Sequence, residues 1–306
     1  MSWDRDPLWA KARLFFEQAF NESRDTSIFG LYCSFGLELL ARSALAAISP
    51  TLLAEPNKEH KHLLYALNRG SSKVQRKSIS ATKVFYLCRI LYLDFTDDDH
   101  KSALALINQR NEELHTGSAA FSTYKPNQWL AGFYHACQSL SSSMGESLES
   151  LFGKEEAKAA SETIIENRNV VKQKIENLIE SHRKVFESKS KPDRKKASEE
   201  AEKLGEKLSL LRHHRVKCPA CNSVATIKGK IFGKEHVSHE NDVIIERQAV
   251  APTSFECTAC GLKLEGYAQL DVAGLGGHYQ RRTIYTPEEY YGLINPDNIS
   301  MTILQK

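Results

Sequence analysis

The chain has 306 residues, which is long enough for two domains, and its apolar fraction of 41% is ordinary for a soluble globular protein. The formal net charge of +3 is too small to indicate a nucleic-acid partner by itself, so charge has to be judged locally. The charged first residues lack the apolar core of a signal peptide.

The most apolar stretch, residues 28–48, is long enough to suggest a membrane span but carries Glu38 and Arg42 near its middle. A bilayer core tolerates such charges badly, so this stretch is predicted to be a buried core helix, and no membrane partner is expected. Periodic apolar residues predict further helices at 7–20, 59–69, 78–93, 97–117 and from Pro126 to about 140. Strand signals are weak up to residue 153, which favours an antiparallel helical bundle.

The predicted helix at 97–117 carries a cluster to which a reaction can be assigned. Arg110, Asn111 and His115 lie within little more than one helical turn, where residues four apart share a face and those five apart remain within side-chain reach. This spacing can gather a permanent cation, an amide and a titratable imidazole around one phosphate. The alternative is that the arginine and the histidine are solvated and pair with neighbouring glutamates.

Residues 1–153 resemble a HEPN domain, the all-helical family of many prokaryotic toxin and antiviral ribonucleases. The resemblance rests on three features: the motif at 110–115 with that family's commonest spacing, the apolar helix around 35–40, and a histidine–leucine element at 62–64. It implies an RNA endonuclease that forms a homodimer through the bundle, so that two motif copies face each other. An antiviral-defence or toxin effector of this kind would need control by an activating nucleic acid, a ligand or a partner protein.

The chemistry can be argued from the residues as well. RNA supplies its own nucleophile, the 2′-hydroxyl, so cleavage to a 2′,3′-cyclic phosphate requires proton transfer and charge stabilisation but no catalytic metal. His115 suits the proton transfer, Arg110 suits the charged phosphate, and Asn111 can orient the histidine or donate to a phosphate oxygen. Glu38 is either a further polar group of the site or an ion-pair partner of Arg42. The alternative function is a non-catalytic HEPN/zinc-ribbon module that binds nucleic acid or a protein partner.

Residues 154–217 are rich in charge and nearly free of aromatic side chains. Two narrow apolar seams predict a helical, coiled-coil-type spacer, either an antiparallel hairpin with a turn at 188–193 or one helix that packs in a dimer. A basic run at its end contains Arg212, Arg215 and Lys217, which are candidates for contact with the RNA backbone. A solvated surface is the alternative interpretation of this run.

Cys218, Cys221, Cys257 and Cys260 form two CxxC pairs, and the segment between the pairs has β-branched strand character. Two such pairs can close a tetrahedral thiolate shell, so residues 218–306 are predicted to be a β-rich zinc ribbon with one structural Zn²⁺ per chain. Four thiolates leave no open coordination position for catalysis. The other three cysteines are isolated in apolar helical contexts, and this usage suits a reducing cytoplasm.

Arg281 and Arg282 lie in a tail that is rich in glycine and tyrosine. Tyrosine and arginine together can stack on and pair with single-stranded nucleic acid, and a surface hairpin is the equal alternative. The whole chain is therefore predicted to be mainly α, with a HEPN-like bundle at 1–153, a charged helical spacer at 154–217 and a zinc ribbon at 218–306.

Overall fold

The computed structural model describes residues 3–69 and 76–293, and the chain forms two compact units, Met1–Lys172 and Gln173–Lys306. The described part of the first unit is helical. Its helices are α1 (Arg5–Phe20), α2 (Ser27–Ile48), α3 (Lys61–Ala66), α4 (Ala81–Leu91), α5 (Asp97–His115), α6 (Ala120–Thr123), α7 (Pro126–Ser143), α8 (Leu148–Phe152) and the first half of α9 (Lys154–Ser188), with a 3₁₀ turn at Pro50–Leu53.

The second helix is the central element of the first unit. Leu37, Leu40 and Leu45 are completely buried in its core, each contributing about 2 kcal/mol of hydrophobic stabilisation. Gly36 lets α1 approach closely, because a Cβ there would lie 2.4 Å from the ring of Phe16. Length and composition alone would allow α2 to cross a membrane, but its most apolar window is 56% buried within the unit. The predicted core helix is therefore confirmed.

The helix that carries the motif begins with a capping box. Thr96 is the N-cap, its hydroxyl accepts from the backbone N–H of Asp99, and the Asp99 carboxylate accepts from the backbone N–H of Thr96. Asp97 and Asp98 occupy the first turn, where negative charge stabilises the helix dipole. The predicted start of this helix at residue 97 is therefore confirmed, and the preceding threonine supplies its cap.

The second unit contains the end of α9, then α10 (Lys191–Leu210), α11 (Tyr267–Val272) and α12 (Pro287–Tyr290), with a five-stranded antiparallel sheet. The strands are β1 (His214–Lys217), β2 (Val224–Glu240), β3 (Val243–Glu256), β4 (Lys263–Glu265) and β5 (Tyr279–Tyr285). Their order is β1-β2-β3-β4, and β5 pairs with β3 beyond the short β4. The break between α9 and α10 lies where the turn was predicted.

Within one chain, the predicted apolar seam of α10 packs in part on the sheet. Ala201 and Gly205 are buried, and a Cβ on Gly205 would lie 2.8 Å from Val224 of β2, so this helix packs closely on the sheet. Leu204 and Leu211 of the same seam are 37% and 70% exposed. The sheet begins before residue 218, because β1, inside the predicted spacer, pairs with β2.

Candidate functional site

Three charged side chains join α2 to α5 in the first unit. Arg42 donates Nε and Nη2 to one carboxylate oxygen of Glu38, at 2.9 and 2.7 Å, and Arg110 donates Nη1 to the other oxygen at 3.0 Å. These side chains are only 13–16% exposed. The Arg42 guanidinium also donates to Ser78 Oγ and Ile79 O, which fixes its position. The ion pair predicted between Glu38 and Arg42 is therefore confirmed, and Arg110 is added to it.

This Arg42–Glu38–Arg110 cluster carries one positive charge in excess, since two guanidiniums share one carboxylate. The Nε of Arg110 is buried and has no hydrogen-bond partner among the described residues. The same guanidinium lies 5.8 Å from the ring centroid of Phe35, within the range of a cation–π contact. A partly buried guanidinium with spare donors and excess positive charge is suited to an anionic ligand such as a phosphate.

The rest of the motif lies in a different environment. His115 is the last residue of α5 and is exposed, as is Asn111 one turn earlier. Neither side chain has a hydrogen bond or an ion pair within the described part of the chain, so both side chains are free to meet a ligand. Glu113 does not pair with Arg110 but accepts the backbone N–H of Phe121, at the start of α6. The structure therefore brings Arg110 together with Glu38 and leaves Asn111 and His115 at the surface.

The four cysteines predicted to bind metal converge in the second unit. Their sulfur atoms all lie within 4.8 Å of one another, and the pairs Cys218–Cys260 and Cys221–Cys257 are 3.6 Å apart. A Zn–S bond of about 2.3 Å places tetrahedral sulfurs about 3.8 Å apart, so the four thiols fit one structural zinc ion.

The two CxxC pairs, Cys218–Cys221 and Cys257–Cys260, are here called knuckles. Both adopt the same backbone turn. The N–H of Asn222 donates to Cys218 O at 2.9 Å, and the N–H of Gly261 donates to Cys257 O at 2.8 Å. Asn222 and Gly261 occupy the same place in each knuckle, directly after the second cysteine, and both have left-handed φ values, 59° and 79°. Asparagine and glycine are the residues that adopt this conformation most readily, which explains their presence after each pair.

The end of α9, with Lys189 directly after it, contacts the backbone carbonyls of both CxxC knuckles. Arg183 reaches Pro219 O with Nη2 at 3.2 Å and Ala220 O with Nε at 3.4 Å. On the second knuckle, His182 Nδ1 lies 2.8 Å from Cys260 O, and Lys189 Nζ lies 3.3 Å from Ala259 O. These three side chains, here called the α9 clamp, were not predicted, because the sequence separates them from their partners by 36 to 78 positions.

The predicted nucleic-acid-binding residues are spread over different surfaces. Arg215 forms an ion pair with Glu202 of α10, and Arg281 donates to the carbonyl oxygen of Arg212 at 3.2 Å. Lys217 and Arg282 are exposed. Arg281 and Arg282 are neighbours on β5, so their side chains point to opposite faces of the sheet. They do not form one arginine pair.

A further titratable pair was missed by sequence reasoning. The Nδ1 of His135 on α7 lies 2.6 Å from Asp99 Oδ1, and Asp99 is 2% exposed whereas His135 is 45% exposed. The hydrogen bond to Asp99 raises the pKa of His135 against the opposing effect of burial. The acidic start of α5, which includes Asp99, is visible in the sequence. No local pattern links Asp99 to a histidine 36 positions later, so the pair itself was not predictable.

Comparison of the chain with models of protein families, with curated proteins and with solved structures finds no match.

Proposed function

We propose that the chain is a metal-independent endoribonuclease of HEPN type that cleaves RNA to 2′,3′-cyclic phosphate and 5′-hydroxyl ends. The observation that supports this most is the Arg42–Glu38–Arg110 cluster, which has an excess of one positive charge. Its Arg110 lies on the same helix as His115, whose side chain is exposed and unpaired within the described part of the chain. The cluster is suited to hold a phosphate, and the imidazole is suited to move a proton beside it.

In this proposal each side chain has a separate role. Glu38 orients the Arg110 guanidinium, Arg110 stabilises the charge of the pentacoordinate phosphate, and His115 transfers a proton to or from the 2′-hydroxyl or the departing 5′-oxygen. One imidazole does not readily serve as both base and acid, so a homodimer supplies the second copy. Asn111, four residues before His115, orients the imidazole or donates to the phosphate.

Biological control belongs to the same proposal. An enzyme of this kind that acts on cellular RNA would endanger its own cell, so an antiviral-defence or toxin role requires activation by a nucleic acid, a ligand or a partner protein. The zinc site, with four thiolate ligands, has a structural role in the second unit and takes no part in the reaction.

The test is cleavage of a single-stranded RNA by the purified chain in the presence of EDTA. His115→Ala and Arg110→Ala should each lower the rate at least about 100-fold, since each removes a group that acts in the transition state. Glu112→Ala is the matched control, because Glu112 is exposed on the same turn and has no proposed role. Circular dichroism would verify that every variant keeps its helices. Normal cleavage by both His115→Ala and Arg110→Ala would contradict the proposal.

One observation favours the second candidate, a non-catalytic binding module. Arg110 is engaged by Glu38 and only 15% exposed, whereas His115 is exposed at the helix end, so the two side chains of one chain do not share an environment. In a binding module the ion pair serves only to join α2 to α5. RNA binding without any cleavage, unaltered by His115→Ala, would support this candidate over the nuclease.

A further inference from the structure

Three aromatic rings lie beside the Arg42–Glu38–Arg110 cluster in the first unit. Phe15 of α1 contacts both Tyr32 and Phe35 of α2, with ring centroids 6.1 and 5.4 Å apart. The Arg110 guanidinium lies 5.8 Å from the centroid of Phe35, so the rings and the cation belong to one surface. All three rings are half-buried, and each keeps part of its area open to solvent. We call Phe15, Tyr32 and Phe35 the ring cluster.

The outward face of α2 continues the ring cluster along the helix. Ile28, Tyr32, Phe35 and Leu39 follow the four-and-three spacing of one helix face. Ile28 is 47% exposed and Leu39 is half-buried. A row of partly exposed apolar side chains beside a guanidinium is suited to cover a flat apolar ligand that also carries negative charge.

Unmatched positive charge borders the ring cluster on two helices. Arg110 donates Nη1 to Glu38, whereas its Nη2 has no hydrogen-bond partner among the described residues and, unlike Nε, is open to solvent. Lys11 lies one turn before Phe15 on the same face of α1. It is exposed and forms no ion pair within the described part of the chain. The surface therefore combines the excess charge of the arginine cluster with a free ammonium group.

Charge complementarity and ring chemistry favour a nucleotide as the occupant of this surface. A nucleotide brings a negative phosphate to the cations and a flat base to the rings, and unpaired bases stack on aromatic side chains. A second copy of the chain would instead bring the same excess of positive charge, which opposes association. Bases inside a duplex are already stacked on each other and would not use the rings.

We propose that the ring cluster binds one unpaired base of an RNA strand, with Tyr32 against the base and Arg110 and Lys11 on adjacent phosphates. Tyr32 is assigned to the base because Phe35 already contacts both Phe15 and Arg110, whereas Phe15 is the one ring that Tyr32 contacts among the described residues. Tyr32 is then a positioning residue, since a base held there places the strand beside Arg110. The choice of RNA rests on the proposed nuclease function, but the geometry of rings and cations does not.

The test measures binding of a 2′-O-methyl oligouridylate of about 8 nucleotides with one central 2-aminopurine, whose fluorescence falls when its base stacks on a ring. Methylation blocks the 2′-hydroxyl, so the full wild-type chain can be used without cleavage. Tyr32→Leu should weaken binding about tenfold and remove most of the quenching, as expected for one lost stacking contact. Tyr32→Phe keeps the ring and should change the affinity less than about twofold.

Tyr86→Leu is the matched control for this experiment. Tyr86 is a 48% exposed tyrosine on α4 that also lies beside an arginine, with the Arg89 guanidinium 5.2 Å from its ring centroid. That arginine is paired with Asp97, so this control should change binding less than about twofold. Circular dichroism verifies the helices of each variant. Phe15→Leu, which should weaken binding at least about threefold, serves as the second ring variant if Tyr32→Leu loses helical signal.

The outcomes separate this inference from the nuclease proposal. Equal loss from Tyr32→Leu and Tyr86→Leu, no loss from a folded ring variant, or no binding by wild type would overturn the base site. A change in the oligomeric state of Tyr32→Leu, measured by light scattering, with unaltered RNA affinity would show a contact between copies instead and would also overturn it. If Tyr32→Leu weakens binding and quenching while the wild-type chain cleaves no RNA, the base site stands and the nuclease proposal fails.

Discussion

The carboxylate of Glu38 pairs with two arginines, and the sequence predicts only one of them. The pair with Arg42 follows from helical spacing, because residues four apart are neighbours on one face. The contact with Arg110 joins residues 72 positions apart on different helices, which no local pattern encodes. The four cysteines were predictable for the opposite reason, since the CxxC spacing fixes the local geometry of each pair.

At the residue scale, the pair of His135 and Asp99 predicts a dependence of stability on pH. The pKa of His135 is raised in the folded chain, so the pair stabilises the fold fully below the ordinary histidine pKa of about 6.5 and loses this effect as pH rises through the raised value. Nearby Asp98 adds to the rise in pKa, and Arg168 opposes it.

The measurement compares thermal unfolding of wild type and His135→Gln at pH values of about 5.5 and 9. Between these values the wild-type melting temperature should fall about 1–3 °C more than that of the variant, a small effect because the histidine is partly solvated. Parallel shifts in the two proteins would show that the imidazole does not contribute in this way.

At the element scale, periodicity located α1, α2, α4, α5 and α7 to within a few residues, because amphipathic helices with caps and prolines carry their signal locally. The predicted helix from about 59 is shorter, Lys61–Ala66, and residues 70–75 lie outside the described residues. For the tail that contains β5, a surface hairpin was only one of two alternatives. The identity of β5 as a strand depends on pairing with β3, which is about 35 residues away in sequence, and pairing partners at such distances leave no local signature.

The α9 clamp predicts that a helix side chain influences metal binding. Arg183→Ala removes the donors to Pro219 O and Ala220 O and should weaken zinc binding about threefold to tenfold, as loss of groups that support metal ligands commonly does. Competition with a chromophoric chelator measures the affinity, and metal analysis should give about one zinc per wild-type chain.

Lys184→Ala is the matched control for this experiment. Lys184 follows Arg183 on α9 and pairs with the same residue, Glu180, at 3.7 Å, so its loss removes a comparable surface ion pair without removing a donor to a knuckle. Equal effects of the two variants on zinc affinity would contradict a specific role for the clamp.

At the scale of the whole molecule, two compact units carry the two kinds of chemistry. The first unit, Met1–Lys172, holds the Arg42–Glu38–Arg110 cluster and His115, and the second, Gln173–Lys306, holds the four cysteines. The mainly helical character and the position of the small antiparallel sheet with its four clustered cysteines followed from sequence. The division between the units did not, because it falls inside the continuous helix α9 rather than at a change of composition.

The chemical nature of the RNA ends tests the nuclease proposal most directly. A synthetic RNA strand would be incubated with the wild-type chain and EDTA, and the products would be identified by mass spectrometry. The account predicts a 2′,3′-cyclic phosphate on one fragment and a 5′-hydroxyl on the other, with no cut at a nucleotide whose 2′-hydroxyl is replaced by hydrogen. Products with 3′-hydroxyl and 5′-phosphate ends, cleavage at the deoxy position, or an intact strand would contradict it.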